Sequence, residues 1–194
     1  LAESYMGQKD YYSASEYFQA YIRNFPRGTY AQEARYKVAY CYYLDSPDAR
    51  LDQTETYEAI NALSEFISLY PESDRVADCR KYLFEMEDKL AYKELLSSKL
   101  YYNLGLYGGN NYRACVTTAE NALKDFPETK YRDDLVFIIL KAKSKEASLS
   151  VEDKKRERYS EVIDEYYRYA NAFPNGKHIK EANRILREAK NIVK

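Results

Sequence analysis

Tryptophan is absent from this 194-residue sequence, histidine occurs once and cysteine 3 times, and only 6 Gly and 5 Pro punctuate it. Each shortage removes a class of protein. Three irregularly spaced cysteines and one histidine cannot supply a metal cluster, and Cys/His catalysis would need His178 beside a buried thiol. Phosphate-cradling glycine loops, HExxH and GxSxG are missing. Carboxylates abound, but as on any charged helical surface. The sequence therefore reads as non-enzymatic, with no cofactor implied. All-β folds need far more turn residues than this. No window approaches 18 consecutive apolar residues, so no transmembrane helix is expected, and no signal peptide is visible. A formal net charge of −1 without a basic stripe gives nucleic acid no footing.

What remains is a chain that is 45% apolar and 31% charged, a balance that folds. It carries 23 Tyr, whose apolar ring and polar tip suit half-buried places between helices. Few breakers and many helix formers predict few, long helices. The opening stretch Leu1-Ala2-Glu3-Ser4-Tyr5 reads as the inside of a helix with no capping residue ahead of it. This predicts that the native protein has residues upstream, any targeting or lipid-attachment signal among them.

An internal repeat organises the rest. Phe25-Pro26, Tyr70-Pro71, Phe126-Pro127 and Phe173-Pro174 recur at intervals of 45, 56 and 47 residues. Twelve residues before each Pro stand Ala14, Ala59, Cys115 and Val162; eight before, Phe18, Leu63, Ala119 and Tyr166; five before, Tyr21, Phe66, Ala122 and Tyr169. Two after it stand Gly28, Ser73, Thr129 and Gly176, and eight after it Ala34, Cys79, Leu135 and Ala182. The offsets before Pro share one helix face. Pro ends the helix and restricts the residue ahead of it. The small residue two later is an N-cap or turn residue for the next helix. Each unit is thus helix, Pro turn, helix, and neighbouring pairs must stack to bury their apolar faces. Cys79 and Cys115 occupy core positions, and Cys41 is expected to be similar. His178 falls four residues after Pro174, where the other units carry Tyr30, Arg75 and Tyr131, a tolerance that predicts a surface position.

Leu1, Ala2, Tyr5, Ala14, Phe18, Tyr21 and Pro26 fall at the spacings of the tetratricopeptide (TPR) consensus, departing from it only at Tyr21. The fold class expected is all-α: a single TPR helical-hairpin solenoid over 1–194. Its units are approximately 1–28, 29–72, 73–128 and 129–175, with a C-terminal helix over 176–193. Departures from regularity are the places to look for function. Asp45 to Thr54 is an enlarged loop, or a capped connection with Asp52 or Thr54 starting the next helix; Arg50 lies within it. Ser73 to Asn103 has no Gly or Pro and reads as one long helix, or two nearly collinear ones, of about 45 Å at 1.5 Å per residue. Gly105 to Asn111 predicts a tight loop visiting positive φ. Glu152 to Arg158 is a mixed charge run, a solvated helix face or a partner surface. Tyr36, Tyr40 and Tyr43, at steps of four and three, form a stripe that either binds a partner or packs against the neighbouring helix. TPR arrays present such first helices to extended or helical peptides.

The segment Arg80-Lys81-Tyr82-Leu83-Phe84-Glu85-Met86-Glu87-Asp88-Lys89-Leu90-Ala91-Tyr92-Lys93-Glu94, followed by Tyr101-Tyr102 and Asp125-Phe126-Pro127, resembles the long-helix region of the BamD family. These are TPR lipoproteins of the outer-membrane β-barrel assembly machinery, and the Bacteroidetes variant is the most similar. The resemblance implies a lipoprotein at the periplasmic face of the outer membrane, anchored by an acylated cysteine upstream of residue 1. It implies that residues 73–194 contact the periplasmic domains of the barrel-forming subunit, and that 1–72 receive unfolded outer-membrane proteins. Arg80, Asp88 and Glu94 become either partner contacts or an ion network bracing the long helix. The aromatic-Pro pattern is shared with Tol-Pal-associated periplasmic repeat proteins, which, with a generic TPR interaction module, form the alternative reading.

Overall fold

A computed structural model describes residues 1–194 as all-α, with nine helices and no strand. They are α1 (Ala2–Gly7), α2 (Tyr11–Asn24), α3 (Ala31–Asp45), α4 (Thr54–Leu69), α5 (Val76–Leu104), α6 (Asn111–Asp125), α7 (Arg132–Ser148), α8 (Glu152–Ala172) and α9 (Ile179–Val193). They form TPR-like hairpins grouped into two compact units, Leu1–Leu90 and Ala91–Lys194. The long central segment is one helix, α5, of 29 residues.

The aromatic-Pro pairs stop four helices in the same way. Phe25, Tyr70, Phe126 and Phe173 all adopt φ between −126° and −134° with ψ of 60° to 66°. Each donates its N–H to the carbonyl four residues back, on Tyr21, Phe66, Ala122 and Tyr169. The proline that follows forces the preceding residue out of the helical region, and its missing N–H ends the ladder. Gly28, Ser73, Thr129 and Gly176 then close a turn by donating to the carbonyls of those four aromatic residues at 2.9–3.2 Å. They are turn residues; Tyr30, Tyr131 and His178 hold the N-cap positions of the following helices. A Cβ on Gly28 would lie 2.7 Å from the Tyr21 hydroxyl, and one on Gly176 would lie 2.6 Å from that of Tyr169. Where the facing residue lacks a hydroxyl, as Phe66 and Ala122 do, the turn carries Ser73 and Thr129 instead.

In the first unit, α1 to α3 enclose a core of Ala14, Phe18, Ala34, Val38 and Cys41. A second core joins Tyr36, Ala39, Leu63, Phe66 and Cys79, with Tyr82 and Leu83 against it. In the second unit, Leu95, Cys115, Ala119, Leu135 and Ile138 form one core, and Phe137, Leu140, Val162, Tyr169 and Ile185 the next. Ala14, Ala59, Cys115 and Val162 are all wholly buried, as are Cys79, Leu135 and Ala182. The repeat positions read from the sequence are thus the core, except that Tyr21 and Tyr166 are half-buried. All three cysteines are free and buried.

Each irregular segment has a local cause. Gly105, Gly108 and Gly109 take φ of 57°, 69° and 151°, which lets α5 reverse into α6 within a few residues. Asp45–Thr54 is an ordered loop built on Gln53, only 4% exposed. Its amide donates to the carbonyls of Asp48, Leu51 and Asp52 at 2.8, 3.1 and 3.1 Å, and its Oε1 accepts from Thr56. Thr54 begins α4, and its N–H donates to Asp52 Oδ1 at 2.9 Å. Glu152 to Arg158 is a mostly solvated face of α8, although Arg158 turns inward to Ser150 and Glu146.

Candidate functional site

The first helix of each hairpin carries the candidate surfaces. In the first unit that surface is α3. Steps of four and three put Tyr36, Tyr40 and Tyr43 on one face. Tyr36 and Tyr40 stack with centroids 5.9 Å apart, Tyr40 and Tyr43 at 6.0 Å. Tyr82 of α5 stacks on Tyr43 at 4.2 Å and leans on Tyr40 at 5.4 Å. Offset aromatic pairs of this kind contribute about 0.5–1.5 kcal/mol each beyond area burial. Tyr36 is the core end of the row: 6% exposed, edge-on to Phe66 at 5.8 Å, with the Arg75 guanidinium 4.9 Å over its ring. Tyr40, Tyr43 and Tyr82 remain half-buried, so this part of the row is accessible. The Tyr43 hydroxyl donates to Glu85 Oε2 at 2.6 Å. Burial, then that carboxylate, raises the Tyr43 pKa well above the ordinary phenol value, so the hydroxyl stays a donor.

Lys89 pins the enlarged loop, its Nζ donating to the carbonyl and hydroxyl of Ser46 at 3.0 and 2.7 Å. Burial lowers its pKa. Arg50 stands at the loop tip with its side chain 69% exposed and 3.8 Å from Asp48. Arg80 is exposed, Asp88 is buried at 3%, and Glu94 is half-buried, its pKa raised by burial. These three do not share one environment.

In the second unit, α5, α7 and α9 surround a cavity of about 320 Å³. Phe137 and Ile138 lie at its base, 5% and 6% exposed. Lys141 Nζ sits 5.2 Å from the Tyr102 ring centroid and 3.3 Å from Glu181. Lys99 and Asn103, one helical turn apart and both exposed, border it. The fourth side carries His178. Contrary to the surface position expected, its ring stacks on Phe137 at 4.2 Å and its Nε2 lies 3.0 Å from Asp134 Oδ1. The reason is shape. Arg75 sets its guanidinium carbon 4.9 Å over the Tyr36 ring and His178 stacks on Phe137, each base ring standing ten residues after the preceding turn proline. Tyr131 likewise stacks on Tyr92 at 5.0 Å. Three of the four residues at this position, Arg75, Tyr131 and His178, set a planar group over a ring, whereas Tyr30 is 69% exposed.

The cysteines offer no reactive thiolate. Burial pushes Cys41 and Cys79 up to about 11 and Cys115 up to about 12. Sequence reasoning missed Tyr82 and Glu85 as partners of the stripe, Lys89 and Gln53 as the pins of the loop, and the groove of Lys99, Asn103 and Lys141. The only sequence signal for that groove is a polar pair at i, i+4, Lys99 and Asn103, near the end of α5.

The all-α order of helical hairpins defines a TPR-like helical-repeat protein. The chain belongs to the YfiO family, described as an outer membrane lipoprotein, whose pattern matches residues 1–139. It is 32% identical over 101 residues to the outer membrane protein assembly factor BamD of Caulobacter vibrioides, covering 49% of this chain and 33% of that protein. The chain therefore spans about a third of the length of that curated relative. Family membership assigns it to the outer membrane.

Proposed function

We propose that this chain is a non-enzymatic scaffold of a machinery that assembles β-barrel proteins into the outer membrane, held at the periplasmic face by a lipid. The match to the outer membrane lipoprotein family over residues 1–139 carries the reading. The ordered, half-exposed Tyr40, Tyr43 and Tyr82 support it. Large rigid rings fixed in place lose little entropy on binding, which suits them to capture extended apolar chain. Residues 1–72 take unfolded outer-membrane protein in this reading, and 73–194 take the periplasmic domains of the barrel-forming subunit. The loop around Arg50 and the exposed Arg80 offer cationic contacts, Asp88 and Glu94 brace α5, and the lipid sits elsewhere than on Cys41, Cys79 or Cys115, whose side chains are wholly buried.

The test is affinity purification of the full-length protein from its native membranes, with acylation read by mass spectrometry. Recovery of an acylated protein with a barrel-forming partner is expected. An unacylated protein recovered without any barrel protein would overturn the proposal.

A further inference from the structure

We propose that the cavity among α5, α7 and α9 is a binding groove for an extended acidic–apolar segment of a partner protein, one in which a carboxylate side chain stands next to an aromatic or aliphatic one. The inference deepens the reading above, in which the second unit receives a protein partner, and rests on it.

Charge selects the occupant. Two carboxylates border the groove, and both are engaged. Asp134 accepts from Lys177 Nζ at 2.5 Å and pairs with His178, while Glu181 is 3.3 Å from Lys141 and 3.8 Å from Arg184. Lys99 and Asn103 are not so engaged: an ammonium and an amide, four residues apart on one face of α5, turned toward solvent at the rim. The unneutralised charge of the groove is therefore positive. Beside it, Tyr102, Phe137 and Ile138 provide the apolar part. Lys141, held between the Tyr102 ring and Glu181, adds a fixed cation beside the apolar part, while Lys99 carries the charge left free for a ligand carboxylate. Helices in contact pack about 8–10 Å apart, so a path across the three that line the groove, α5, α7 and α9, is about 20 Å long, roughly six residues of extended chain. A passing segment fills that path better than a chain end.

The probe is an acetylated, amidated hexapeptide of sequence Ser-Leu-Glu-Phe-Thr-Ser, titrated into the 194-residue chain at low salt and followed by amide NMR. Expected are shifts at residues 99–103 and around Lys141, and at least tenfold weaker binding when the peptide Glu is replaced by Gln. Lys99→Ala weakens it to a similar degree with an unchanged melting curve, since Lys99 is exposed, whereas removing an exposed cation of the first unit, Arg27→Ala, leaves it unchanged. Equal binding of the Glu and Gln peptides, shifts confined to other helices, or no binding at millimolar peptide each overturns the proposal. So does a Gln peptide with a free C-terminus that matches the Glu peptide, since the groove would then read a chain end. If the peptide fails while the full-length protein still co-purifies with its barrel-forming partner, only this inference falls; loss of the partner itself sinks the broader reading.

Discussion

The same register position carries different chemistry in the two units. Ten, fourteen and seventeen residues after the turn proline, α3 presents Tyr36, Tyr40 and Tyr43, while α7 presents Phe137, Lys141 and Ser144. The first ring of each set does the same work, lying under a planar side chain from a later turn. Beyond it the units part. Tyr40 and Tyr43 close their face against Tyr82, whereas Lys141 cannot stack in a row and stands beside a cavity bordered by Lys99 and Lys141 and by Asp134 and Glu181. One scaffold thus yields an aromatic wall and a mixed groove through two changes of side chain, because the backbone is set by the turns and the small core positions.

The largest expected effects test whether the two units are separate cores. Leu63→Ala and Leu135→Ala each remove a wholly buried side chain, and each should cost about 2–5 kcal/mol by urea unfolding. Hydrogen exchange should show protection falling first in α3 and α4 for the former and in α7 and α8 for the latter. Equal loss throughout would dissolve the division. Next comes the turn glycine. Gly176→Ala should cost about 1–3 kcal/mol, because its Cβ would meet the Tyr169 hydroxyl at 2.6 Å and Phe173 Cβ at 2.8 Å. That hydroxyl is held by Asp133 at 2.8 Å and by the His178 N–H at 3.2 Å. Gly28→Ala should cost less, since the half-buried Tyr21 can swing aside. Tyr169→Phe in the Gly176→Ala background should recover part of the loss, measured as a melting-temperature difference.

A smaller contrast lies in the wall itself. Tyr43→Phe keeps the ring but deletes the bond to Glu85, and should cost about 1 kcal/mol. Smaller still are the titrations. Burial works to raise Asp134 and Glu146, but hydrogen bonds from Lys177 and His178, and from Arg113 and Asn110, outweigh it and hold both below the ordinary carboxyl range. Their stabilisation is complete above the unfolded-state pKa and is lost as pH falls through the folded one. Glu87 in the first unit is raised by burial and then by the Asp88 charge, and Asp45, although exposed, is raised by partial desolvation and by the charges of Glu55 and Asp10. Their folded forms are weakened as pH climbs from the ordinary carboxyl range through the raised value, so mild acid relieves them. Exchange protection should therefore fall near α9 on acidification toward pH 3, while the start of the 45–54 loop holds or gains. The smallest change is Arg50→Ala: within about 0.5 kcal/mol in stability, with any larger effect confined to partner capture.

Much of this was legible in the primary structure because it is local and periodic. Aromatic-Pro pairs mark helix ends by steric rule, the offsets of twelve, eight and five mark one buried face, and a run without Gly or Pro marks α5. His178 was misread because the sequence shows which residues share a position but not the ring beneath them. The tyrosine stripe stayed ambiguous for a related reason: Tyr36 and Tyr43 look alike in sequence, yet one is core and the other half-buried.

By itself, then, the sequence determined the all-α hairpin repeat, its turns and its core positions, since proline sterics and helical period act within a few residues. Packing between distant segments sets which rings face solvent, ties the enlarged loop to Lys89 and Gln53, and gathers Lys99, Asn103 and Lys141 around one groove. Those outcomes depend on which helix lies against which, and side chains brought together from distant positions leave no mark on local spacing.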